Sequence, residues 1–269
     1  MELNKTVSED LQKIRDQKPL LHHITNMVVM NETANATLCL GALPVMAHAD
    51  DEVEEMVAYA GALVLNIGTL YPQLIKSMIR AGRQANDLGV PVILDPVGVG
   101  ATKLRTDSAK EILRELSVDI VRGNAAEVSI LGGFEGEIKG VESMGGSGDL
   151  VNVSKEFAKI HDCTVAITGE VDIVSDQSKT LKVSNGDEML SKITGTGCMA
   201  TTIIGGFASV QEDKSLAAAG ALAMFGLAGE LAAADTGNRP GSFHVALYDR
   251  ISMIQPGDLK DNAKIEIVS

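Results

Sequence analysis

The chain has few aromatic residues and few cysteines. Only 3% of its 269 residues are aromatic and none is Trp, although 45% are hydrophobic. The core must therefore be built from Ala, Val, Ile, Leu and Met. The three cysteines are an odd number without paired spacing, which indicates reduced thiols in a cytoplasmic protein rather than a disulfide framework.

The sequence also lacks an excess of basic charge and a long apolar run. It has 23 Lys and Arg residues against 36 Asp and Glu, a formal net charge of −13, which argues against nucleic acid or an anionic membrane as a partner. The first ten residues, MELNKTVSED, lack the apolar core of a signal peptide, and no uninterrupted apolar run is long enough to span a bilayer. We therefore expect a soluble protein.

Short apolar runs alternate with helical patterns along most of the chain. Strands are predicted over residues 20–24, 43–46, 62–67, 90–94, 119–121, 164–168, 171–175, 180–184 and 264–268. Helices are predicted over 6–17, 30–40, 50–60, 72–88, 106–116, 125–131, 150–161, 215–234 and 241–253, and from 199 onward. This alternation predicts a three-layer α/β fold, with a mostly parallel central sheet between helices and a hairpin at 171–184.

We see no internal repeat, low-complexity linker or break in composition, so residues 1–269 are predicted to form a single domain. The Gly-rich stretch 132–148 is predicted to be a long, mobile and exposed loop.

Two alternating glycines precede a small-residue helix in the stretch Ile-Thr-Gly-Thr-Gly-Cys-Met-Ala at 193–200. Gly195 and Gly197 have no Cβ, so the backbone around Thr196 can point successive N–H groups at one spot. The helix, predicted to begin at Met199, adds unpaired N–H groups and the positive end of its dipole. The stretch predicts an anion site, typically for phosphate, although a plain helix start is the alternative. It is not a P-loop, because no Gly-Lys-Ser/Thr follows.

Polar residues follow several predicted strands, at the edge where parallel sheets bind ligands. Asp95 and Glu127 supply hard oxygen ligands of the kind that Mg²⁺ needs. Arg122 can fork onto phosphate oxygens, and Thr168, followed by Gly169, can hydrogen-bond a nucleotide phosphate. Each also has an ordinary interpretation. Asp95 can belong to a turn, and Glu127 can favour a helix dipole. Arg122 can form a surface ion pair, and Thr168 can end a strand.

His22, His23 and Cys198 raise the question of a metal or a nucleophile. The two histidines are adjacent on a predicted strand and point to opposite faces, and no zinc spacing is present. We expect them to be structural or to line a substrate site. Cys198 stands at a helix N-terminus, where the pKa of a thiol is expected to fall, whereas nearby phosphates would oppose that fall. It is either a modest base or a spacer.

Four stretches in register resemble the signatures of hydroxyethylthiazole kinases, of the ribokinase-like superfamily. They are His23–Asn26 with its continuation to Ala47, Asp95–Thr102, Arg122–Glu127 and Thr194–Met199. The resemblance implies a ribokinase-like fold and phosphorylation of the primary hydroxyl of 4-methyl-5-(2-hydroxyethyl)thiazole with ATP and Mg²⁺, in thiamine salvage. It also implies a homotrimer with the thiazole site at a subunit interface.

The resemblance further implies roles for single residues. The thiazole set is Asn26, Met46 and Gly195; the ATP set is Arg122, Asn124, Thr168 and Gly169; the Mg²⁺ set is Asp95 and Glu127; the phosphoryl-acceptor loop is Gly195, Thr196, Gly197 and Cys198. In this loop Cys198 stands where the superfamily usually has the Asp that accepts the hydroxyl proton.

Three other functions stay open from the sequence. Hydroxymethylpyrimidine kinase shares the glycine loop with Cys, but the His-Ile-Thr-Asn stretch favours thiazole. An ATP-dependent NAD(P)HX dehydratase has the same fold and would need a groove for a dinucleotide. A non-catalytic nucleotide-binding regulator is less consistent with Asp95, Glu127 and an intact glycine loop.

Overall fold

One sheet runs through the part of the chain that the structure, a computed structural model, describes: residues 2–134 and 147–268. Its strands are β1 (Leu20–Ile24), β2 (Leu43–Val45), β3 (Ala62–Asn66), β4 (Val92–Asp95), β5 (Ile120–Asn124), β6 (Thr164–Thr168), β7 (Asp172–Ser175), β8 (Thr180–Val183) and β9 (Ile265–Ile267). Their order across the sheet is β2-β1-β3-β4-β5-β6-β7-β8-β9. The pairs from β2 to β6 are parallel and those from β6 to β9 antiparallel, which confirms a mostly parallel sheet and the predicted hairpin of β7 and β8.

Helices cover both faces of this sheet. They are α1 (Glu2–Gln17), α2 (Met30–Leu40), α3 (Val53–Val57), α4 (Pro72–Leu88), α5 (Lys103–Glu115), α6 (Ala125–Gly132), α7 (Ser147–His161), α8 (Thr196–Ala208), α9 (Lys214–Thr236), α10 (Pro240–Met253) and α11 (Pro256–Asn262).

Side chains alternate along the strands between two apolar cores, one on each face. In β4, Ile93 belongs to the core formed with α1, α2, α8, α9 and α10, whereas Val92 and Leu94 belong to the core formed with α4, α5 and α6. A sheet covered on both faces requires this alternation. It confirms the three-layer α/β fold.

Most predicted elements are confirmed, but several predicted bounds are wrong. α1 begins at Glu2 rather than at residue 6, and α3 covers only Val53–Val57 of the predicted 50–60. α5 begins earlier than predicted because Thr102 caps it: the Thr102 hydroxyl accepts a hydrogen bond from the Arg105 N–H at 3.3 Å.

Two short elements are missing from the sequence prediction: α11 and a 3-10 turn at Glu188–Lys192. Each is too short to show a helical period in the sequence. Of the predicted loop at 132–148, residues 135–146 lie outside the described residues; Gly132 ends α6 and Ser147 begins α7.

α9 lies at the centre of one core. Within the described residues it is the one helix long and apolar enough to cross a membrane. However, 83% of its most apolar 18-residue stretch is buried inside the fold. Its glycines admit close neighbours: a Cβ on Gly220 would lie 2.0 Å from Val7 Cγ1, and one on Gly226 would lie 2.4 Å from the Asn185 carbonyl oxygen. α9 is therefore a core helix of the described fold.

His22 and His23 point to opposite faces of β1, as predicted. His22 Nε2 lies 2.7 Å from the Ala47 carbonyl oxygen, and His23 Nε2 lies 3.3 Å from Thr37 Oγ1 on α2. Both side chains are fully buried. Burial, followed by the charges of His22 and His48, lowers the pKa of His23 from 6.5 to about 3.

We expect buried, neutral His23 to make a contribution that lowers the free energy of unfolding as the pH falls below about 6.5. Between pH 6.5 and 3 the unfolded chain binds a proton that the folded protein does not, so the free energy of unfolding rises with pH in this window. Full uptake of that proton changes the free energy of unfolding by about 1.4 kcal/mol per pH unit. Urea unfolding from pH 7 to pH 5 should therefore show a shallower pH dependence for His23→Gln than for the wild type. Equal slopes would contradict the expectation.

Candidate active site

Polar side chains gather at the carboxyl edge of the parallel strands, where the first turn of α8 meets them. Asn26 follows β1, Asp95 ends β4, Arg122 lies in β5 and Cys198 stands in the first turn of α8. Asn26 Nδ2 lies 3.7 Å from Cys198 Sγ, and Arg122 Nη1 lies 3.8 Å from Asp95 Oδ1. Residues predicted from four separate motifs are thus brought together.

Asn66, the last residue of β3, connects these groups and is absent from the sequence prediction. Its Nδ2 group donates to Asp95 Oδ2 at 2.9 Å and to Cys198 Sγ at 3.2 Å. Its Oδ1 accepts from Asn26 Nδ2 at 2.7 Å. The signal that would have found it is its place at the carboxyl end of a strand.

Asp95 is a fully buried carboxylate. Its Oδ2 accepts hydrogen bonds from Asn66 and from Thr201 Oγ1, each at 2.9 Å, whereas its Oδ1 has no hydrogen-bond partner among the described residues. Burial raises the pKa of Asp95 from 3.8 to about 6, although the Arg122 guanidinium acts to lower it. An unpartnered buried carboxylate oxygen is costly unless a cation or a donor comes to it.

The expectation of a lowered thiol pKa at Cys198 is wrong. Burial, and after it the Asp95 carboxylate, raises the pKa of the Cys198 thiol from 9.0 to about 12. The hydrogen bonds from Asn66 and Asn26 and the charge of Arg122 act to lower this pKa but do not offset burial and Asp95, so the thiol is protonated at neutral pH. This favours the spacer interpretation over the base.

The glycine loop enters α8 by a left-handed residue. Gly195 has φ +89° and is the N-cap of α8, whose first hydrogen bond runs from the Met199 N–H to the Gly195 carbonyl at 2.8 Å. The helix therefore begins at Thr196, not at Met199 as predicted. A Cβ on Gly195 would lie 3.2 Å from Val29 Cγ1, so glycine serves both the left-handed conformation and the close approach of α2.

The next two residues of the loop face in other directions. Gly197 lies against Arg122, because a Cβ there would be 2.7 Å from Arg122 Nη1. The Thr196 hydroxyl donates to the Leu190 carbonyl at 2.8 Å, so it ties the loop to the 3-10 turn. The absence of a side chain at Gly197 lets a guanidinium reach the start of the helix.

A cleft of about 870 Å³ opens beside this loop. All four residues predicted at ATP line it, together with Thr196 and Gly197: Arg122, Asn124, Thr168 and Gly169. Arg122 Nη2 donates to Thr168 Oγ1 at 2.5 Å. The volume is in the range of cofactor sites. The prediction missed the opposite wall, which the 3-10 turn and α9 provide through Glu188, Leu190, Leu222 and Phe225.

Glu127 joins two loops at this edge. Its Oε1 accepts from the Gly98 N–H at 2.8 Å, and its Oε2 accepts from the Asn124 N–H at 2.9 Å. The Asn124 side chain in turn accepts from the Glu127 N–H at 2.9 Å, which completes a capping box at α6. The helix-dipole interpretation of Glu127 therefore holds, whatever else this carboxylate binds.

The described residues contain no group of three or more His, Cys, Asp or Glu side chains able to hold a metal ion alone. Mg²⁺ does not need one, because it usually keeps several waters and binds one or two carboxylates plus substrate phosphates. The unpartnered Oδ1 of Asp95 fits direct binding. Both Glu127 oxygens already accept backbone hydrogen bonds, which fits contact through water.

Met46, predicted at the thiazole, lies outside the hydrogen-bonded network. It follows β2, the strand at one end of the sheet, and is partly buried. Nearer to the network, Met27 and Val28 follow Asn26 and are 66% and 63% exposed. The Asn26 side of the site thus has an open apolar rim.

The sequence and the fold resemble those of characterised families. A model of the hydroxyethylthiazole kinase family matches residues 11–256. A hydroxyethylthiazole kinase of Roseiflexus sp. (strain RS-1) is 52% identical over 263 residues, 98% of this chain and 97% of that protein.

Two solved structures extend the comparison. A hydroxyethylthiazole kinase protein from Pyrococcus horikoshii OT3 has a TM-score of 0.90 at 45% identity, over 98% of this chain and 100% of the other. The pyridoxal kinase of Staphylococcus aureus, solved with AMP-PCP, has a TM-score of 0.65 at 14% identity, over 93% and 99% of the two chains. The second likeness concerns the fold alone.

Proposed function

Because the chain belongs to the hydroxyethylthiazole kinase family, we propose that it transfers the γ-phosphoryl group of ATP to the primary hydroxyl of 4-methyl-5-(2-hydroxyethyl)thiazole, in thiamine salvage. The observation that carries the proposal is the position of the glycine loop. It borders the 870 Å³ cleft through Thr196 and Gly197 and reaches the Asn26 side through Cys198. A donor in the cleft and an acceptor beside Cys198 would thus meet at the start of α8.

ATP is proposed to bind in the cleft with its phosphates toward α8. Arg122, Asn124, Thr168 and Gly169 line that route. A guanidinium binds phosphate oxygens by two parallel hydrogen bonds, and Arg122 Nε has no partner among the residues described. A helix N-terminus adds N–H groups and a favourable dipole.

Asp95 and Glu127 are the residues that would hold Mg²⁺, Asp95 through its free oxygen and Glu127 through water. When bound, Mg²⁺ neutralises charge on the phosphate oxygens. The N–H groups from Gly195 to Cys198 would stabilise the negative charge that develops on the transferring group. Positioning and stabilisation of charge, rather than covalent chemistry by the protein, are the main requirements of phosphoryl transfer.

The thiazole is proposed to lie beside Asn26, Met46 and Gly195. Asn26 offers a polar contact and Met46 an apolar wall, which suits a flat, mostly apolar heterocycle. Asn26 and Cys198 are already adjacent, so an acceptor hydroxyl bound there would face the glycine loop. Orientation of this hydroxyl in line with the γ-phosphorus would supply a large part of the rate acceleration.

Cys198 is proposed to shape the acceptor pocket rather than to act as a strong base. Cys198→Ala is expected to lower kcat moderately, about tenfold, because the hydroxyl loses part of its positioning. Cys198→Asp is expected to keep or raise kcat, since a carboxylate is the better proton acceptor. Steady-state kinetics at saturating ATP and thiazole compare the three proteins. An inactive Cys198→Asp that is folded, by circular dichroism, would contradict the proton-acceptor geometry.

We also propose that residues 1–269 form one kinase domain, that the protein is cytoplasmic, and that it assembles as a homotrimer with the thiazole site at a subunit interface. The exposed apolar rim at Met27 and Val28 supports a covered Asn26 side. The mass in solution tests the trimer: a monomeric protein would contradict it.

The function is tested by offering ATP and Mg²⁺ with hydroxyethylthiazole or hydroxymethylpyrimidine, separately, and identifying the product by mass. Phosphorylation of the thiazole alone is the expected result. No thiazole phosphate from a folded, ATP-binding protein would contradict the proposal.

A further inference from the structure

Asn66 uses every hydrogen-bonding position that its amide has. It is only 2% exposed and pairs with Asp95 in the register of β3 and β4. Besides its bonds to Asp95, Cys198 and Asn26, its Oδ1 accepts from the Gly68 N–H at 2.9 Å. An amide side chain has two donor hydrogens and two strong acceptor sites, so no capacity is left.

These partners fix the orientation of the amide. Exchange of its N and O atoms would turn Oδ1 toward the Asp95 carboxylate and Nδ2 toward the Gly68 N–H. An acceptor would then face an acceptor on one side, and a donor would face a donor on the other. The backbone of Asn66 is held by its pairing with Asp95 in β4, and its neighbour Leu65 pairs with Ile24 in β1. The Asp95 carboxylate and the Cys198 sulfur are therefore held by two hydrogens of one rigid group.

We propose that Asn66 is a positioning residue for phosphoryl transfer, which holds the Cys198 side chain and the Asp95 carboxylate in place around the acceptor hydroxyl. The inference rests on the proposed kinase function. Of the two amides that donate to Cys198 Sγ, Asn66 is the nearer, at 3.2 Å against 3.7 Å for Asn26. Without Asn66 the thiol loses its closer hydrogen bond, and misplacement of a reacting group by 1 Å can cost roughly a hundredfold in rate.

Thr201 offers a matched comparison. Its Oγ1 donates to Asp95 Oδ2 at 2.9 Å, as Asn66 does, but it makes no side-chain hydrogen bond to Cys198 Sγ within the described structure. Thr201→Val thus removes one buried hydrogen bond from the same carboxylate, together with a 3.2 Å contact of the hydroxyl with the Gly197 carbonyl, and leaves the thiol with both amide donors. If Asn66 served only as a hydrogen-bond donor to Asp95, Asn66→Ala and Thr201→Val would affect kcat in the same way.

The test is a pair of double-mutant cycles at saturating ATP and thiazole. Asn66→Ala is expected to lower kcat by about 10- to 100-fold, with the KM for ATP changed by less than about threefold. In a Cys198→Ala background the loss caused by Asn66→Ala is expected to shrink at least about threefold. Thr201→Val is expected to cause the same loss in both backgrounds. A loss from Asn66→Ala that shrinks by less than threefold would overturn the proposal.

Two controls keep the outcome clear. Asn66→Ser, which leaves a hydroxyl in place of the amide, replaces Asn66→Ala if the latter does not fold, and thermal unfolding with and without ATP shows that each protein is folded. Ser154→Ala removes a buried hydrogen bond to Ser175 far from the site and should leave kcat unchanged. A wild type that makes no thiazole phosphate would contradict the proposed function, whereas an active wild type with independent losses would overturn only the role of Asn66.

Discussion

Asp95→Asn is expected to remove most of the activity and, at the same time, to stabilise the protein. The carboxylate is fully buried and lies next to Cys198. Asn keeps the shape and can still accept from Asn66 and Thr201, but it offers no negative charge to a metal ion or to Arg122. A loss in kcat of about 10²- to 10³-fold is expected, the size seen when one electrostatic contact to a transition state is removed.

The gain in stability follows from the pKa of Asp95. Burial raises it to about 6 from 3.8, so the folded protein binds more protons than the unfolded chain between these values, and stability falls as pH rises through this window. At pH 7 the ionisation of buried Asp95 costs about 3 kcal/mol of stability, a cost that Asn does not have. The advantage of Asp95→Asn should therefore be present at pH 7.5 and shrink toward pH 4.

Asp10→Asn is the matched control. Asp10 is also fully buried, but on α1, where Lys13 Nζ donates to it at 2.8 Å and Gln211 Nε2 at 2.7 Å. Loss of that charge is expected to lower stability by about 1–3 kcal/mol and to leave kcat unchanged. Urea unfolding and steady-state kinetics measure both proteins. Equal kcat values for Asp95→Asn and the wild type would exclude Asp95 from the reaction.

Arg122→Met is expected to have the second largest effect, a loss in kcat of about 10²-fold or more together with weaker ATP binding. The guanidinium lies between the cleft and Asp95, where it donates to Thr168 Oγ1 and is 3.8 Å from Asp95 Oδ1. It also holds down the pKa of Asp95. Without Arg122 the pKa of Asp95 should rise. As the pH is lowered, the residual activity of Arg122→Met should therefore begin to fall at a higher pH than the activity of the wild type.

Three comparisons isolate the effect of Arg122. Arg122→Lys keeps the charge and should recover part of the ATP affinity but little of kcat, because an ammonium lacks the planar fork. Thr168→Val removes only the hydroxyl partner and should cost less than about tenfold. Arg15→Met removes a guanidinium that donates to the Ile254 carbonyl at 2.6 Å, away from the site, and should leave kcat unchanged. A kcat for Arg122→Met within threefold of the wild type would contradict the expectation.

The sequence predicted the elements of this site because their signals are local. Gly195 and Gly197 stand beside the helix that they start. Asp95 ends an apolar strand of the parallel sheet, and Arg122 directly follows the apolar residues of the next strand, although β5 continues past it to Asn124. The pattern Asn124-x-x-Glu127 is itself a capping-box signature, and the structure contains that box. Each of these inferences used fewer than ten consecutive residues.

What the sequence could not predict depends on contacts between distant segments. Asn66 and Cys198 are 132 positions apart, and nothing in either motif indicates that the amide donates to the sulfur. The pKa of Cys198 depends in the same way on burial and on Asp95, so a prediction based on the local helix N-terminus had the wrong sign. The far wall of the cleft was missed because a turn of five residues at Glu188–Lys192 has no readable period.

The apolar helix α9 has a consequence for synthesis of the chain. A ribosome releases residues 214–236 before α10, α11 and β9, all of which contact α9 in the finished fold. Until these last segments arrive, one side of a helix apolar enough to cross a bilayer faces water. A chain that is truncated near residue 240 and released should therefore be the species that chaperones bind, and that aggregates when chaperones are scarce.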